Sequence, residues 1–158
     1  MILAIDPSIN KTGWCLLSGT AFTSGVIVTR SEFVSTKQIE LANAVRGIIA
    51  EGGEGLQAVI EVPAPHAYGR TQGKGGRMIN LDAMLKLARA VGAITLALAE
   101  GGVACIEVTP QEWKGARQKC WDRLWAEQLL GRRVRDDEAD AIALAHWYRM
   151  HTSAGCKK

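Results

Sequence analysis

Two short apolar runs each end directly in an acidic residue, and this feature limits the possible folds more than any other. Residues Ile2–Ile5 lead into Asp6, and residues Ala58–Ile60 lead into Glu61. Runs of this length suit buried β-strands, and Pro7 cannot continue a central strand. In open α/β sheets, functional sites form outside the carboxyl ends of neighbouring strands. We therefore expect Asp6 and Glu61 to meet at one edge of a sheet.

The remaining segments predict a mixed sheet flanked by helices. Gly13–Leu17 and Ala21–Thr29 have the composition of strands joined by a turn at Ser18-Gly19, and with the first strand they indicate an antiparallel meander. Val103–Val108 is the fifth predicted strand. The order strand, strand, strand, helix, strand, helix, strand, helices favours the α/β class with a mixed five-stranded sheet.

Helix signals lie between and after the strands. Apolar residues at helical spacing and capping residues predict each helix. The first begins at a capping box of Ser35 and Gln38 and stops at Gly52-Gly53, and Thr109-Pro110 is a strong helix start. The other predicted helices are Asn80–Ala99, Gln111–Gly115, Lys119–Leu130 and Asp136–Tyr148.

The chain of 158 residues has the length of one compact domain. We predict a single domain over residues 1–151, followed by a flexible tail over 152–158. No apolar run approaches the roughly 18 to 20 residues that cross a membrane, and the start of the chain lacks a signal-peptide pattern. The four cysteines form no CxxC pair, so free thiols in a reducing compartment are expected. These features predict a cytoplasmic protein.

A second pair of acids lies at the start of the last helix. Asp137 and Asp140 are three residues apart and share one face, which Ala141 and Leu144 continue toward the interior. A buried carboxylate without a partner is costly, and a bound cation supplies a partner. We expect the neighbouring Asp136 and Glu138 to face solvent.

The four acids suit magnesium chemistry. Mg²⁺ prefers oxygen ligands, and two such ions roughly 3.5 to 4 Å apart can position a water and neutralise a phosphate. Each acid alone has a simpler reading as a turn, helix-start or surface residue, so the hypothesis depends on the set. It predicts phosphodiester hydrolysis with two Mg²⁺ ions, which Mn²⁺ can replace, held by Asp6, Glu61, Asp137 and Asp140.

Basic residues flank these acids although the net charge is only +3. One group lies in the glycine-rich loop Pro63–Arg77, a second precedes the last helix, and a third surrounds Lys114. A solvated surface would explain any one of these groups. Beside the acids they are candidates for contacts to DNA phosphates. The candidates are Arg70, Lys74, Arg77, Lys119 and Arg123.

Four segments in order resemble the motifs of RuvC-type Holliday-junction resolvases. These segments are IDPSINKTGW, VIEVP, VTPQEWK and DDEADAIALAHW. The resemblance implies an RNase H-like fold, a homodimer, and Mg²⁺-dependent nicking of two strands at a four-way DNA junction. It does not extend to the loop after Glu61, which is glycine-rich here and, with the compact length, suits a phage-type member.

The resemblance also implies roles for individual residues. Asp6 would bridge both metal ions, Glu61 and Asp140 would complete one site each, and Asp137 would ligate a metal ion or align the attacking water. Lys114 matches the family's lysine near the scissile phosphate, and Lys119 matches a second basic position. Tyr68, or else His66, would supply the aromatic ring that stacks on junction bases.

Several alternatives remain open at this stage. The same carboxylates would serve another RNase H-like nuclease, one that acts on other branched DNA, on RNA or on RNA–DNA hybrids. A non-catalytic junction-binding protein is a further alternative. The segment DPSINKTG also fits the phosphate loop of actin-like and sugar-kinase-like proteins, but those need two lobes. No nucleotide cofactor or membrane partner is expected.

Other aromatic residues are expected to have packing roles. We expect Trp14 to lie in the core, His146 to be packed or exposed without a catalytic role, and Trp113, Trp121 and Trp125 to pack within the protein more than to stack on bases. The helix from Asn80 would serve either as a dimer interface or only as part of the core.

Overall fold

A computed structural model describes residues 1–63, 81–115 and 119–154, with the backbone alone at 119, 120, 153 and 154. Five strands form one mixed sheet, in which β1 pairs antiparallel with β2 and parallel with β4. The predicted mixed five-stranded sheet is therefore confirmed. In sheet order the strands are β3 (Ala21–Val28), β2 (Lys11–Ser18), β1 (Ile2–Asp6), β4 (Gln57–Glu61) and β5 (Ala104–Val108).

Helices cover both faces of the sheet. One face packs against α1 and α2, and the other packs against α5, which α4 supports. In the described part of the chain, no helix is both long and apolar enough to cross a lipid bilayer. The helices are α1 (Val34–Gly52), α2 (Leu81–Glu100), α3 (Pro110–Trp113), α4 (Lys119–Leu130) and α5 (Asp136–Ala154).

The alternation of side chains along β1 and β4 decides where their last residues point. In β1, Leu3 and Ile5 belong to the core beneath α1 and α2, whereas Ala4 belongs to the core beneath α5. In β4, Val59 likewise faces α5. Successive side chains of a strand point to opposite faces. Asp6 and Glu61, two residues beyond Ala4 and Val59, therefore lie on the face that α5 covers.

Gly13 lets the start of α5 approach the sheet. It pairs with Asp6 across the β1–β2 ladder. A Cβ atom at Gly13 would lie 1.9 Å from the backbone oxygen of Asp137. Only a residue without a side chain fits this contact, so Gly13 sets the distance between α5 and the end of β1.

The predicted start of the first helix differs from the structure. The capping box at Ser35 is wrong, because α1 begins at Val34 after the N-cap residue Phe33, and Phe33 makes no side-chain cap. The entry to α1 is held instead by Glu40, whose carboxylate accepts the backbone N–H groups of Arg30 and Ser31 at 2.8 and 3.2 Å. The predicted cap Asn80 lies outside the described residues.

The last helix is longer than the sequence predicts. It was expected to run through Tyr148 and to end before a tail over 152–158, but α5 continues to Ala154. The domain boundary at residue 151 therefore cuts a continuous helix. Residues 155–158 lie outside the described part of the chain, and their flexibility stays a prediction. Of the four cysteines, Cys15 and Cys105 are free thiols, as expected.

We predict that Gly13→Ala lowers the free energy of unfolding by about 1–3 kcal/mol or more, because overpacking forces α5 away from the sheet. Gly47→Ala is the matched control, since an added Cβ there meets nothing within 4 Å. In a helix, alanine is favoured over glycine by about 0.8–1.0 kcal/mol, so this control should be stabilised. Urea unfolding measures both. Equal stability of Gly13→Ala and the unmodified protein would contradict the close approach.

Candidate active site

The four acids predicted from the sequence come together at the carboxyl end of β1 and β4. Asp6 ends β1 and Glu61 ends the adjacent parallel strand β4. Asp137 and Asp140 lie in the first two turns of α5. Asp140 is only 2% exposed, so a carboxylate is held inside the protein at this edge of the sheet.

Lys114 joins two of these acids. Its Nζ atom donates to Asp140 Oδ2 at 2.9 Å and lies 3.6 Å from Glu61 Oε2. Burial lowers the pKa of Lys114, but the hydrogen bond to Asp140 and the attraction of Glu61, Asp140 and Asp6 outweigh burial and leave that pKa raised. The lysine therefore stays charged and balances part of the negative charge of the cluster.

Trp113 makes a contact that the sequence did not reveal. Its ring is buried, as expected, but its Nε1–H group donates a hydrogen bond of 2.7 Å to Glu61 Oε2. Lys114 Nζ lies over the same ring, 4.6 Å from the ring centroid. The only sequence signal was the position of Trp113 directly before the candidate lysine, which does not distinguish a core residue from a donor to an acid.

Asp6 lies at the electrostatic centre of the cluster. Burial, followed by repulsion from Glu61 and Asp140, raises the pKa of Asp6 to about 8, although Lys114 opposes the shift and Asp137 adds to it. Each of these groups must lie close to Asp6 to act on it. The cluster holds more negative charge than its own lysine neutralises, and it is therefore built to receive further positive charge.

The donor set fits a hard divalent cation. Carboxylate oxygens are the ligands that Mg²⁺ prefers, and the cluster offers four carboxylates, Asp6 and three others, from β1, β4 and α5. Within residues 1–63, 81–115 and 119–154, no three acidic, histidine or cysteine side chains have the geometry to hold a metal ion as they stand. The ammonium of Lys114 lies between Asp140 and Glu61, so a divalent cation must compete with this ammonium for the same oxygens.

The sequence of the chain matches a known protein family. The model of the family described as Crossover junction endodeoxyribonuclease RuvC matches residues 2–119, more than half of the chain. The chain belongs to the RuvC family. A RuvC relative from Hyphomonas neptunium is 31% identical over 155 residues, covering 91% of this chain and 87% of the relative. A relative from Brucella anthropi is 28% identical over 160 residues, covering 95% of this chain and 88% of the relative.

The fold is also that of RuvC structures. This chain is similar to a Thermus thermophilus RuvC in complex with a Holliday junction substrate, with a TM-score of 0.75 and 19% identity over 98% of this chain and 95% of that one. A second T. thermophilus RuvC structure gives a TM-score of 0.67 at 20% identity. At such identities the likeness concerns the fold, and the expected RNase H-like fold is confirmed.

Most of the predicted DNA-contacting residues of this RuvC family member lie outside the described residues. These include Tyr68, its alternative His66, and the loop bases Arg70, Lys74 and Arg77. The backbone of Lys119 begins α4, but its side chain is not described. Arg123 lies on α4 and donates to the exposed carboxylate of Asp136 at 3.2 Å. Asp136 is thus on the solvent side, as expected.

Glu138 was expected to face solvent, and that prediction is wrong. It is 5% exposed, and its carboxylate accepts hydrogen bonds from Arg132 at 2.6 Å and from Ser24 at 2.8 Å. Burial raises the pKa of Glu138, but these hydrogen bonds and the charge of Arg132 lower it by more. The pKa of Glu138 is therefore below its ordinary value. The hydrogen bond from Ser24 joins Glu138, at the start of α5, to β3.

The other aromatic residues divide between core and surface. Trp14 packs against the core beneath α1 and α2, and the ring of Trp125 lies 5.0 Å from that of His146, so the packing expected for these three residues is confirmed. Trp121 is 64% exposed, and the expectation that it packs within the protein is wrong. It lies on the outer side of α4, because Asp122 and Ala126 occupy the buried side of that helix.

We predict that the metal-free protein loses stability as the pH rises from about 4 to about 8. Because the pKa of Asp6 moves from an ordinary 3.8 to about 8 on folding, the folded protein keeps a proton in this window that the unfolded chain has released. The free energy of unfolding should fall by up to about 1.4 kcal/mol per pH unit, a loss that is complete above pH 8.

Asp6→Asn should flatten this profile, since an amide does not titrate. Urea unfolding with a chelator present, at pH values across the window, measures the slope. Asp82→Asn is the control, because the exposed Asp82 pairs only with Lys86 on α2 among the contacts described. If the free energy of unfolding depends on pH in the same way for Asp6→Asn and the unmodified protein, then Asp6 is not the group that binds the proton.

Proposed function

We propose that this chain is a metal-dependent endonuclease that nicks four-way DNA junctions by paired phosphodiester hydrolysis. The observation that carries the proposal is the convergence of Glu61, Asp137, Asp140 and Lys114 around Asp6 at one edge of the sheet. The curated relatives bear the name crossover junction endodeoxyribonuclease, and the chain covers 87% or more of the two described above. The T. thermophilus relative is described in complex with a Holliday junction substrate.

In this proposal the four acids hold two Mg²⁺ ions, with Mn²⁺ as a substitute. Bound divalent ions would lower the pKa of a water molecule and neutralise charge on the scissile phosphate. Asp6, which faces all the other acids, would hold both ions. Glu61 and Asp140 would each complete one site, and Asp137, the less buried of the α5 pair, would ligate a metal ion or align the attacking water.

Lys114 has a second task in the proposed reaction. In the structure its ammonium is committed to Asp140 and Glu61. A cation that enters the cluster would weaken these contacts of Lys114, because the cation attracts the same carboxylate oxygens and repels the ammonium. The freed lysine, still on the rim of the site, would then stabilise the charge that develops on the phosphate.

We also propose a path for the DNA backbone beside α5. Arg133 and Arg135 are exposed, and they line a shallow cleft with Arg132 and the edge strand residues Val26 and Val28. Its three arginines lie two to five residues before the catalytic Asp137 in the chain. Arg123 and the exposed ring of Trp121 on α4, with the loop bases Arg70, Lys74, Arg77 and Lys119, would extend this surface, and Tyr68 would stack on a base.

A symmetric homodimer would place two such sites on one junction. The helix α2 has one face in the core and leaves Leu81, Leu85 and Leu96 exposed at 63%, 54% and 56%. Ile39 of α1 is 61% exposed beside Leu96 and lines a groove with it. We propose this apolar surface as the dimer interface. Because the proposed substrate is DNA, we also propose that the enzyme acts in the cytoplasm.

We predict that the purified protein nicks a synthetic four-way junction in Mg²⁺ or Mn²⁺ and leaves a linear duplex and an RNA–DNA hybrid intact. Asp6→Asn should reduce cleavage below detection and keep junction binding, because the substitution removes the central ligand charge and preserves the surface. A plasmid with an extruded cruciform reports pairing, since coordinated cuts linearise it and single cuts leave a nicked circle.

Asp82→Asn serves as the charge-matched control and should cleave normally. Preference for the hybrid would favour the RNase H-like alternative. Metal-independent binding without any cleavage would favour a non-catalytic junction binder. Cleavage retained by Asp6→Asn would refute the assignment of the acids.

We predict that replacing Arg133 and Arg135 together by alanine weakens junction binding more at low salt than at high salt. Each phosphate contact contributes about 0.9 to the slope of log affinity against log salt, so two lost contacts should reduce that slope by about 1.8. Equilibrium binding to a labelled junction with a chelator present measures it. Arg149→Ala, which removes an arginine bound to the Gly19 carbonyl at the end of the sheet far from Asp6, is the control. An unchanged slope would exclude the cleft from the DNA path.

A further inference from the structure

Glu61 has a neutral, buried hydrogen-bond donor as well as a charged neighbour. Trp113 is 3% exposed, and its Nε1–H group donates to Glu61 Oε2 at 2.7 Å. Lys114 Nζ approaches the same oxygen less closely, at 3.6 Å. The shorter and better-buried contact to Glu61 is therefore the one from the tryptophan.

The position of Trp113 is fixed by the local structure before it. Val108 of β5 pairs with Glu61 of β4, and α3 begins directly afterwards. Thr109 caps α3, Pro110 supplies its first residue, and the Glu112 carboxylate accepts the Thr109 N–H group at 2.6 Å. The Lys114 N–H group donates to the Pro110 carbonyl at 2.9 Å and closes the turn. A rigid single turn therefore delivers the indole to Glu61.

Charge separates the roles of the two neighbours. A divalent cation at the acids would repel the ammonium of Lys114, whereas an indole N–H group carries no net charge and only donates. The hydrogen bond from Trp113 can therefore persist when positive charge enters the cluster. A carboxylate has two oxygens, so one can accept from Trp113 while the other ligates a cation.

We propose that Trp113 is the positioning residue that holds Glu61 in its metal-binding orientation, an inference that rests on the proposed function. Groups that hydrogen-bond to a ligating carboxylate fix its orientation, and their loss typically costs about 10- to 100-fold in metal affinity or activity. The ring also fills the core beneath α5. Phenylalanine keeps most of this packing and lacks the donor, so Trp113→Phe separates the two contributions.

The test measures binding of Mn²⁺ to the protein without DNA, by calorimetry. Trp113→Phe should bind Mn²⁺ about 10- to 100-fold more weakly than the unmodified protein. Trp147→Phe, which alters a ring stacked on His151 at the far end of α5, should bind normally. Cleavage of the junction should show the same shift in the Mn²⁺ concentration needed for half-maximal rate, with the maximal rate largely recovered at saturation.

A double-mutant cycle distinguishes positioning from a general structural effect. If Trp113 acts through Glu61, then adding Trp113→Phe to Glu61→Gln should weaken Mn²⁺ binding little further. Full additivity of the two substitutions would overturn the inference. Equal Mn²⁺ affinity of Trp113→Phe and the unmodified protein would overturn it as well.

A second measurement uses the unmodified protein and therefore does not depend on whether a variant folds. Its Trp113 indole N–H resonance should exchange slowly with solvent and shift when Mg²⁺ is added, and a rapidly exchanging or unshifted signal would contradict the inference. If the unmodified protein neither binds Mn²⁺ nor cleaves a junction, the proposed function fails and takes this inference with it. If the unmodified protein does both and Trp113→Phe matches it, only the role of Trp113 fails.

Discussion

The contact between Gly13 and the first turn of α5 is the constraint on which the rest of the site depends. Asp6 and Glu61 reach the same face by strand alternation alone, but Asp137 and Asp140 arrive on a separate element far along the chain. Because the backbone oxygen of Asp137 lies where a Cβ of Gly13 would be, the helix start is drawn against the β1–β2 ladder. The buried Glu138, paired with Arg132, accepts a hydrogen bond from Ser24 of β3 and holds the same helix start against that strand.

Burying the acids and bringing them together costs energy, and this cost appears in the raised pKa of Asp6. Trp113, the last residue of α3, and Lys114, which follows it, stabilise the acids in different ways. Lys114 neutralises charge at Asp140 and Glu61, and Trp113 donates to Glu61 without adding charge. The contacts of the Lys114 ammonium depend on the net charge of the cluster, whereas the hydrogen bond from the Trp113 indole does not. Consecutive residues on one short turn therefore provide a movable partner and a stationary one.

Much of this arrangement could be predicted from the sequence, because it follows from periodicity. Apolar runs ending in Asp6 and Glu61 indicated strand ends, and the three-residue spacing of Asp137 and Asp140 indicated one helix face. Contacts between distant side chains have no such period. The burial of Glu138 depends on Arg132 and Ser24, and the hydrogen bond of Trp113 depends on the register of β4 and β5. The exposure of Trp121 likewise depends on how α4 rotates about its axis. The loop candidates Tyr68, Arg70, Lys74 and Arg77 lie outside the described residues and stay predictions.

The salt bridge between Lys114 and Asp140 affects how the protein folds in the absence of metal ions. The chain carries its own weak substitute for an inorganic cation, so completion of the fold does not wait for ion uptake. Many small metalloproteins collapse when chelated, since the metal supplies their folding energy. Here the Lys114 ammonium, which is part of the chain, supplies some of that stabilisation. The supply of metal ions would therefore control the activity of the enzyme more than its folding.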